Sequence, residues 1–325
     1  MKRTWNPVGI FSGIGMLLLI FDSKLAMNSA QEGLELCIRT VIPSLFPFLV
    51  LSILLTGNVT GTGRILQPIT RLLGIPENAQ GILIPAFLGG YPVGAKCVCD
   101  QWQAGHIDKG QAERFLGFCS NAGPAFLFGM LSGFFPERID LWLLWLIHIL
   151  SAVLTGCVLS PAPAGVSLSK KEKTPNIDFL YSAMMAMGMI CCWVILFRIL
   201  VNFLNRWFLW LLPSWLKVWI TGILELTNGC CDLVLIVNPD IRFVVCSGML
   251  SFGGICVLLQ TASVTKGLSL RYYLRGKILQ TVFSLLLSCG ILWPRGWLLI
   301  TAIPILTVFL RKAQKSSGNP AAVPV

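Results

Sequence analysis

The strongest constraint in this sequence is a series of apolar runs that are too long and too numerous for the core of a water-soluble domain. One of them, LWLLWLIHILSAVLTGCVL at 141–159, contains no Asp, Glu, Lys or Arg. Runs of about 18 or more apolar residues indicate helices that cross a membrane. Only 12% of the 325 residues are charged, whereas soluble domains carry about 25%. The sequence therefore predicts an all-α, polytopic integral membrane protein.

About eight spanning helices are predicted, with short basic loops between them. They lie at 8–22, 41–57, 110–131, 139–160, 178–204, 240–262, 278–292 and 297–310. Residues 23–40 mix charged and apolar side chains, which is typical of a helix in the membrane interface, so residues 1–40 form an N-terminal segment of their own. The Pro-, Ser- and Lys-rich segment 161–177 is predicted to be a cytoplasmic linker, and residues 311–325 a disordered tail.

Two apolar regions do not fit as spans. Residues 77–104 contain two apolar stretches separated by GGYP, and residues 214–237 repeat this arrangement around TNG. Each stretch is too short for the hydrocarbon core, which takes about 20 helical residues. Both regions are therefore predicted to be re-entrant hairpins, which enter and leave the membrane on the same side.

The order of these features is the same in two parts of the chain, 41–160 and 178–310. Each part contains a helix, a broken hairpin, a helix interrupted by small residues and a closing helix; the interruptions are SNAGP at 120–124 and SFGG at 251–254. An odd number of crossings between the two parts inverts the second one. Inverted repeats with discontinuous helices at corresponding positions are typical of secondary transporters, whose sites lie at the breaks.

The formal net charge of +11 does not indicate nucleic-acid binding, because the basic residues lie in short loops between apolar segments. With the N-terminus placed inside, most of them fall on the cytoplasmic side of the eight predicted spans, as the positive-inside rule requires. We expect both termini to be cytoplasmic and the lipid bilayer to surround the protein. No nucleic-acid partner and no particular oligomeric state are predicted.

The tip of the first hairpin is a candidate site for an anionic solute. Free backbone N–H groups at the start of a half-helix favour an anion, and they are tolerated at membrane depth only inside protein or beside a watery cavity. A lysine one turn further on adds a full positive charge. The predicted contacts are Gly89, Gly90, Tyr91, Gly94 and Lys96. Alternatively, Lys96 extends to the interface and pairs with a lipid phosphate.

The second hairpin carries an acidic residue at the matching place, Glu225. An intramembrane carboxylate is expensive and usually functional. Glu225 could pair with Lys96, bind a coupling proton or sodium ion, or contact a hydroxyl group of the solute. The alternative is a static ion pair between the hairpins. Thr227, Asn228 and Gly229 supply polar and backbone groups at the same tip.

The interrupted helices supply the remaining candidate contacts, which are Ser120, Asn121, Gly123, Ser251, Gly253, Gly254 and Gln260. Their serines and asparagine could instead hydrogen-bond the backbone that each break frees. His148 is interpreted as a structural hydrogen-bonding residue, and Arg198 as a side chain that extends to the outer end of its helix. No GxSxG, HExxH or GxxxxGK[ST] motif occurs, so we expect no enzyme activity, no metal site and no cofactor.

Five segments together resemble the YlbJ-type sporulation integral membrane proteins, which carry the nucleoside-recognition or Gate domain. They are PSLFPFLVLSILL (43–55), PAFLGGYPVGAK (85–96), CSNAGPAF (119–126), ELTNG (225–229) and SFGGICVLLQ (251–260). The resemblance covers roughly residues 8–310. It implies a protein of endospore-forming bacteria that is linked to moving dipicolinic acid across the outer forespore membrane. It also implies hairpins related in design to those of concentrative nucleoside transporters.

The leading hypothesis is a secondary transporter of a small anionic metabolite, with dipicolinic acid as the first candidate, in the bacterial cell membrane or the outer forespore membrane. A second hypothesis is a proton- or sodium-coupled nucleoside transporter that uses Asn121, Glu225 and Asn228 to contact base and ribose. A third is a non-transporting membrane scaffold of the spore envelope, which would have no need of charged hairpin tips.

Overall fold

A computed structural model describes residues 7–58, 63–159 and 179–317 of the chain. Within these ranges the regular secondary structure consists of helices alone. Residues 160–178, which include the predicted linker 161–177, and residues 318–325 lie outside the described part.

The first half of the chain forms nine α-helices. They are α1 (Pro7–Phe21), α2 (Ser23–Leu36), α3 (Ile42–Asn58), α4 (Gly63–Leu72), α5 (Leu83–Leu88), α6 (Val93–Gln103), α7 (Lys109–Leu116), α8 (Pro124–Met130) and α9 (Arg138–Val158). The second half forms seven, namely α10 (Phe179–Trp207), α11 (Ser214–Leu224), α12 (Leu226–Cys231), α13 (Pro239–Phe252), α14 (Gly254–Val264), α15 (Arg271–Leu292) and α16 (Trp297–Ser317).

Five helical runs of the described residues are long and apolar enough to cross a membrane. They are Ser23–Leu51, Arg138–Val158, Phe179–Trp207, Pro239–Val264 and Arg271–Leu292. Large apolar side chains on their outer faces are exposed, among them Trp142, Leu146 and Leu196, as expected where lipid takes the place of water. The all-α, polytopic membrane architecture is therefore confirmed, whereas the number of eight spans stays a prediction.

The N-terminal region differs from the prediction. The predicted interfacial helix 23–40 is not a separate element, because α2 continues through a π-helical segment, Cys37–Val41, into α3. This long run packs along α10, where a Cβ atom on Gly33 would lie only 2.9 Å from the Ile195 Cα. Two of the charged side chains of α2 have partners within the protein: Glu32 pairs with Arg198 on α10, and Glu35 pairs with Arg39 one turn later.

The C-terminal region also differs. Helix α15 begins at Arg271, whereas the sequence pattern predicts a start at residue 278. Helix α16 continues to Ser317, so the predicted disordered tail does not begin at residue 311. In both cases polar residues continue a helix beyond its apolar part, and the apolar pattern alone does not report such an extension.

The two helices predicted to be interrupted are interrupted in the structure. Helix α7 ends at Leu116, α8 begins at Pro124, and the chain between them is not helical. Helix α13 ends at Phe252, and the chain turns at Gly253, whose φ of 81° lies in the left-handed region that favours glycine. These two breaks face the interior of the molecule, since Ser120, Asn121 and Ser251 are all buried.

Candidate functional site

The first predicted hairpin is a pair of packed helices, α5 and α6, with a tip at residues 89–92. A Cβ atom on Gly94 would lie 3.0 Å from the Ala86 Cα and 1.9 Å from the Cys119 carbonyl oxygen, so only glycine allows this packing. At the tip, the backbone of Gly90 packs against that of Gly123, where an added Cβ atom would lie 3.0 Å from the Gly90 Cα. The first hairpin tip therefore rests on the first helix break.

The second predicted hairpin has the same construction. Helices α11 and α12 pack so closely that a Cβ atom on Gly229 would lie 2.3 Å from the Gly222 Cα. Its tip rests on the second helix break, where a Cβ atom on Gly254 would lie 2.9 Å from the Gly222 carbonyl oxygen and 3.4 Å from the Leu226 nitrogen. Each hairpin thus contacts the interrupted helix that follows it in sequence, as an internal repeat requires. The re-entrant path of both hairpins in the membrane stays a prediction.

Tyr91 joins the two halves of the molecule. Its hydroxyl group donates a hydrogen bond of 2.9 Å to the carbonyl oxygen of Leu250. Its ring contacts the second helix break, where a Cβ atom on Gly253 would lie 3.2 Å from the Tyr91 Cζ. The tip of the first hairpin and the breaks of both interrupted helices therefore meet in one region.

A buried polar network surrounds this meeting point, and its centre is a lysine that lies just before the predicted span 278–292. Lys277 on α15 is only 1% exposed. Its amino group donates hydrogen bonds to the carbonyl oxygen of Ser120, to Gln280 Oε1 at 2.9 Å and to the Tyr91 hydroxyl at 3.2 Å. The Gln280 amide in turn donates to Asn121 Oδ1 at 2.9 Å.

His148 on α9 links the network to both breaks. Its Nε2 atom accepts a hydrogen bond of 3.0 Å from the backbone of Ala122, and its Nδ1 atom lies 3.4 Å from Ser251 Oγ. The Asn121 amide donates to the carbonyl oxygens of Ala86 and Phe118 at 3.1 and 2.8 Å. His148 is thus the hydrogen-bonding residue that we expected, and Asn121 hydrogen-bonds backbone groups near its break.

A small cavity of about 40 Å³ lies between the hairpin tips and helices α3 and α10. Five of the predicted site residues line it, namely Tyr91, Gly123, Glu225, Thr227 and Gln260. Apolar side chains complete the wall; they are Val41, Leu45, Phe126, Ile190, Val194, Leu226 and Val257, with Ala122 beside them. A water molecule needs about 10–15 Å³, so this central cavity has room for a few waters and not for an aromatic ring.

Glu225 is the acidic residue of the central cavity and is 2% exposed. Its carboxylate caps α12 by accepting a hydrogen bond of 2.7 Å from the Asn228 backbone nitrogen. It does not pair with Lys96, which forms an ion pair of 3.1 Å with Asp100 one turn along its own helix. The side chain of Lys96 is 38% exposed and is absent from the lining of the central cavity.

Two wider clefts lie on either side of the central cavity along α10. The Lys96 cleft has a volume of about 340 Å³ and is lined by Pro92, Lys96, Tyr181, Ser182, Met185, Ala186, Met189, Ile190, Gln260, Ser263, Val264 and Lys266. The Arg198 cleft has a volume of about 260 Å³ and is lined by Glu32, Glu35, Leu36, Arg39, Thr40, Arg198 and Cys231. Ile190 and Gln260 belong to both the Lys96 cleft and the central cavity.

Arg198 does not extend to the end of its helix as expected. Its guanidinium pairs with Glu32 on α2 at 2.9 Å and donates to Asn228 Oδ1 at 3.2 Å. The Asn228 side chain is fully buried, and its amide nitrogen has no hydrogen-bond partner. Arg198 is therefore a charged group at the second hairpin tip. Its position within an apolar span was a signal for such a role, because intramembrane charges are usually functional.

The predicted site residues thus fall into three groups besides those that line the central cavity. Ser120, Asn121 and Ser251 contact the buried polar network. The glycines 89, 90, 94, 229, 253 and 254 form the tips and packing contacts of the hairpins and the second break. Lys96 lies at the Lys96 cleft and pairs with Asp100, and Asn228 accepts a hydrogen bond from Arg198 at the Arg198 cleft.

Comparison with known proteins shows one similarity in sequence. No family model and no solved structure matches the chain. The chain is 24% identical over 318 aligned residues to the sporulation integral membrane protein YlbJ of Bacillus subtilis (strain 168), with 82% of this chain and 77% of that protein covered. The Gate domain assignment stays a prediction. The resemblance to the YlbJ type is confirmed, and the chain is a relative of the YlbJ-type sporulation integral membrane proteins.

Proposed function

We propose that this protein is a carrier that moves a small organic anion across a bacterial membrane, with dipicolinic acid in the sporulating cell as the first candidate solute. The central cavity carries this proposal, because two broken hairpins and two broken helices surround it. Transporters built from inverted repeats bind their cargo at such breaks, near the middle of the bilayer.

Helix α10 offers a continuous route for the solute. Ser182, Ala186, Ile190, Val194 and Arg198 follow one another at intervals of four residues, so consecutive side chains are neighbours and together form a stripe that winds about 160° around the helix. The first three line the Lys96 cleft, Ile190 and Val194 line the central cavity, and Arg198 lines the Arg198 cleft. At a rise of 1.5 Å per residue this stripe is about 24 Å long, which is most of the roughly 30 Å hydrocarbon core.

The charges on this route favour an anion at one end. Lys96 and Lys266 line the Lys96 cleft, whereas in the Arg198 cleft Arg39 and Arg198 are paired with Glu35 and Glu32. Clefts with basic walls raise the local concentration of anions. The central cavity is too small for dipicolinate as the structure stands, so passage requires the hairpins to separate from α10. This requirement fits alternating access around a closed central site.

The lining of the central cavity itself supports a second candidate, a nucleoside. Glu225, Thr227 and Gln260 present a carboxylate, a hydroxyl group and an amide to the cavity. These groups are suited to hydrogen bonds with sugar hydroxyls and base amides. The Glu225 carboxylate also repels a dianion, because the two carry like charges, unless a proton or a cation neutralises the carboxylate.

Transport in a defined membrane tests the proposal and separates the candidates. Purified protein is reconstituted into liposomes, and the entry of labelled dipicolinate or uridine is measured against protein-free liposomes. We expect saturable entry of dipicolinate that unlabelled dipicolinate reduces and uridine does not. Entry of uridine alone would favour the nucleoside carrier, and entry of neither solute would favour the scaffold.

A matched pair of substitutions shows whether the route along α10 is used. Ile190→Trp fills the junction between the Lys96 cleft and the central cavity and is expected to reduce dipicolinate entry at least tenfold. Leu196→Trp places the same side chain on the same helix at a position that is 55% exposed, and entry should stay near the wild-type rate. The melting temperatures of both variants show whether they are folded. Equal entry through both folded variants would contradict the proposed route.

A further inference from the structure

The first helix break leaves carbonyl oxygens that no helical N–H group can satisfy. Helix α7 ends at Leu116 and α8 begins only at Pro124, and the last carbonyls of any helix lack intrahelical partners. The carbonyl of Ser120 lies in the non-helical segment between these helices, and Ser120 is fully buried. Inside a membrane such a group requires a partner from the protein or a bound cation.

Lys277 is that partner, and the group that it provides is an amine. Its amino group contacts three oxygen atoms of different chemical kinds, which are the Ser120 carbonyl, the Gln280 amide and the Tyr91 hydroxyl. It also lies 4.9 Å from the centre of the Tyr91 ring and 5.9 Å from that of Tyr273. Among the described residues no carboxylate forms an ion pair with it.

A set of neutral oxygen atoms around one point, at an unwound helix, is also what a hard cation such as sodium prefers. We infer that the Lys277 amino group takes the place of a bound sodium ion at the first helix break, so that the protein closes this break without sodium. The hydrogen bond to Tyr91 also holds the first hairpin tip against α15, and the bond to Ser120 holds the first helix break against it. The part of this inference that concerns transport rests on the proposed carrier function. The part that concerns ion binding is independent of it.

Thermal unfolding of the purified protein tests ion binding without any solute. The melting temperature is measured in sodium chloride and in choline chloride at equal ionic strength, for the wild type and two variants that lack the amino group. Lys277→Ser leaves space among the three oxygen atoms, and Lys277→Met fills it with an apolar chain. We expect no sodium effect on the wild type or on Lys277→Met, and a rise of about 3 °C with sodium for Lys277→Ser.

A control variant shows whether any sodium effect belongs to this position. Lys96→Ser removes the same group from a half-exposed place beside Asp100 and should show no sodium effect. A wild type that sodium stabilises, with the same effect in the Lys277 variants, would overturn the inference. A folded Lys277→Ser that gains nothing from sodium would overturn it as well. If Lys277→Ser does not fold, Lys277→Gln replaces it: a sodium-dependent rise in its melting temperature is expected, and its absence would overturn the inference.

Transport then separates this inference from the proposed function. Wild-type dipicolinate entry should be equal in sodium and in choline, while Lys277→Ser should lose about tenfold in choline and recover part of it in sodium. A sodium-dependent wild type would contradict the inference and leave the carrier function standing. No transport by any protein, together with the expected melting temperatures, would contradict the carrier function and leave the inference standing.

Discussion

The two hairpins share one construction and differ in chemistry. In both, two short helices meet through glycine, and the tip rests on an interrupted helix. The tip of the first hairpin carries Tyr91, whose hydroxyl group hydrogen-bonds Leu250 and Lys277 in the second half of the chain. The tip of the second carries Glu225 and Asn228, and Asn228 hydrogen-bonds Arg198 beside a cleft. The first tip is thus tied to α13 and α15, and the second carries a carboxylate that lines the central cavity.

This difference separates what the two hairpins share from what they do not. The backbone packing is hard to change, because an added Cβ atom at Gly94 or Gly229 would collide with another backbone. These glycine contacts do not involve the tip side chains, so each tip can carry different ones. We therefore expect substitutions in the packing glycines to affect both hairpins alike, and substitutions at the tips to affect them differently.

The largest effect is expected from Gly229→Leu and its counterpart Gly94→Leu. Each side chain would overlap backbone atoms, at 2.3 Å and 1.9 Å already for the Cβ atom, so we expect about 3 kcal/mol of destabilisation or loss of folding. Gly188→Leu on α10 is the control, because nothing lies within 4 Å of its added Cβ atom. Yield and melting temperature in detergent measure the effect. If only one of the two substitutions is tolerated, the two hairpins do not depend on glycine packing in the same way.

The second largest effect is expected from Glu225→Ala. It removes the acceptor of the buried Asn228 N–H group, and leaving such a donor unpaired costs about 2 kcal/mol. The matched control is Glu35→Ala, whose side chain is 59% exposed and pairs with Arg39 one turn later; such a pair contributes at most about 0.5 kcal/mol. Thermal unfolding measures both, and equal losses would show that Glu225 is not a structural cap.

Glu225→Gln sharpens the comparison, because it keeps an acceptor oxygen and removes the negative charge. We expect it to retain most of the stability and to lower the half-saturating concentration of dipicolinate by roughly tenfold, because like-charge repulsion disappears. A nucleoside carrier would show the reverse, with weaker binding of uridine. Solute-concentration curves in liposomes distinguish these outcomes.

A smaller effect is expected from Tyr91→Phe at the first tip. It removes one hydroxyl group, its hydrogen bond to the Leu250 carbonyl and one of three contacts of Lys277, which costs about 1 kcal/mol. Dipicolinate entry should change little, in contrast to Glu225→Gln. Tyr272→Phe, at an exposed position on α15 that lines none of the three cavities, is the control for the loss of a tyrosine hydroxyl group. A variant that folds normally but transports poorly would place Tyr91 among the solute contacts.

The smallest effect on stability is expected from Lys96→Met. The ion pair of Lys96 with Asp100 is more than a third exposed, and such a pair contributes about 0.5 kcal/mol or less. Because Lys96 lies in a cleft and not in the central cavity, we expect slower entry of dipicolinate at low solute concentration and an unchanged maximal rate. A lower maximal rate would show that Lys96 acts at the central site after all.

The breaks and hairpins could be predicted from the sequence because their signals are local. GGYP, SNAGP and SFGG interrupt apolar runs, and two short apolar stretches cannot replace a spanning helix. Lys277 and Arg198 were misplaced because their surroundings come from distant parts of the chain. Lys277 contacts the carbonyl of Ser120, and Arg198 pairs with Glu32. A hydropathy pattern treats every lysine or arginine as a surface residue, and it does not report the carbonyl or carboxylate that allows one to be buried.

For the proposed carrier, the uneven width of the route has an electrical consequence. Clefts of about 340 and 260 Å³ have ample room for water, whereas the cavity between them measures about 40 Å³. Since water conducts ions and packed protein does not, most of the membrane voltage falls across this short constriction around Ile190 and Val194. A dianion that crosses it would exchange about 4.6 kcal/mol with the field for every 100 mV, within the length of a few side chains.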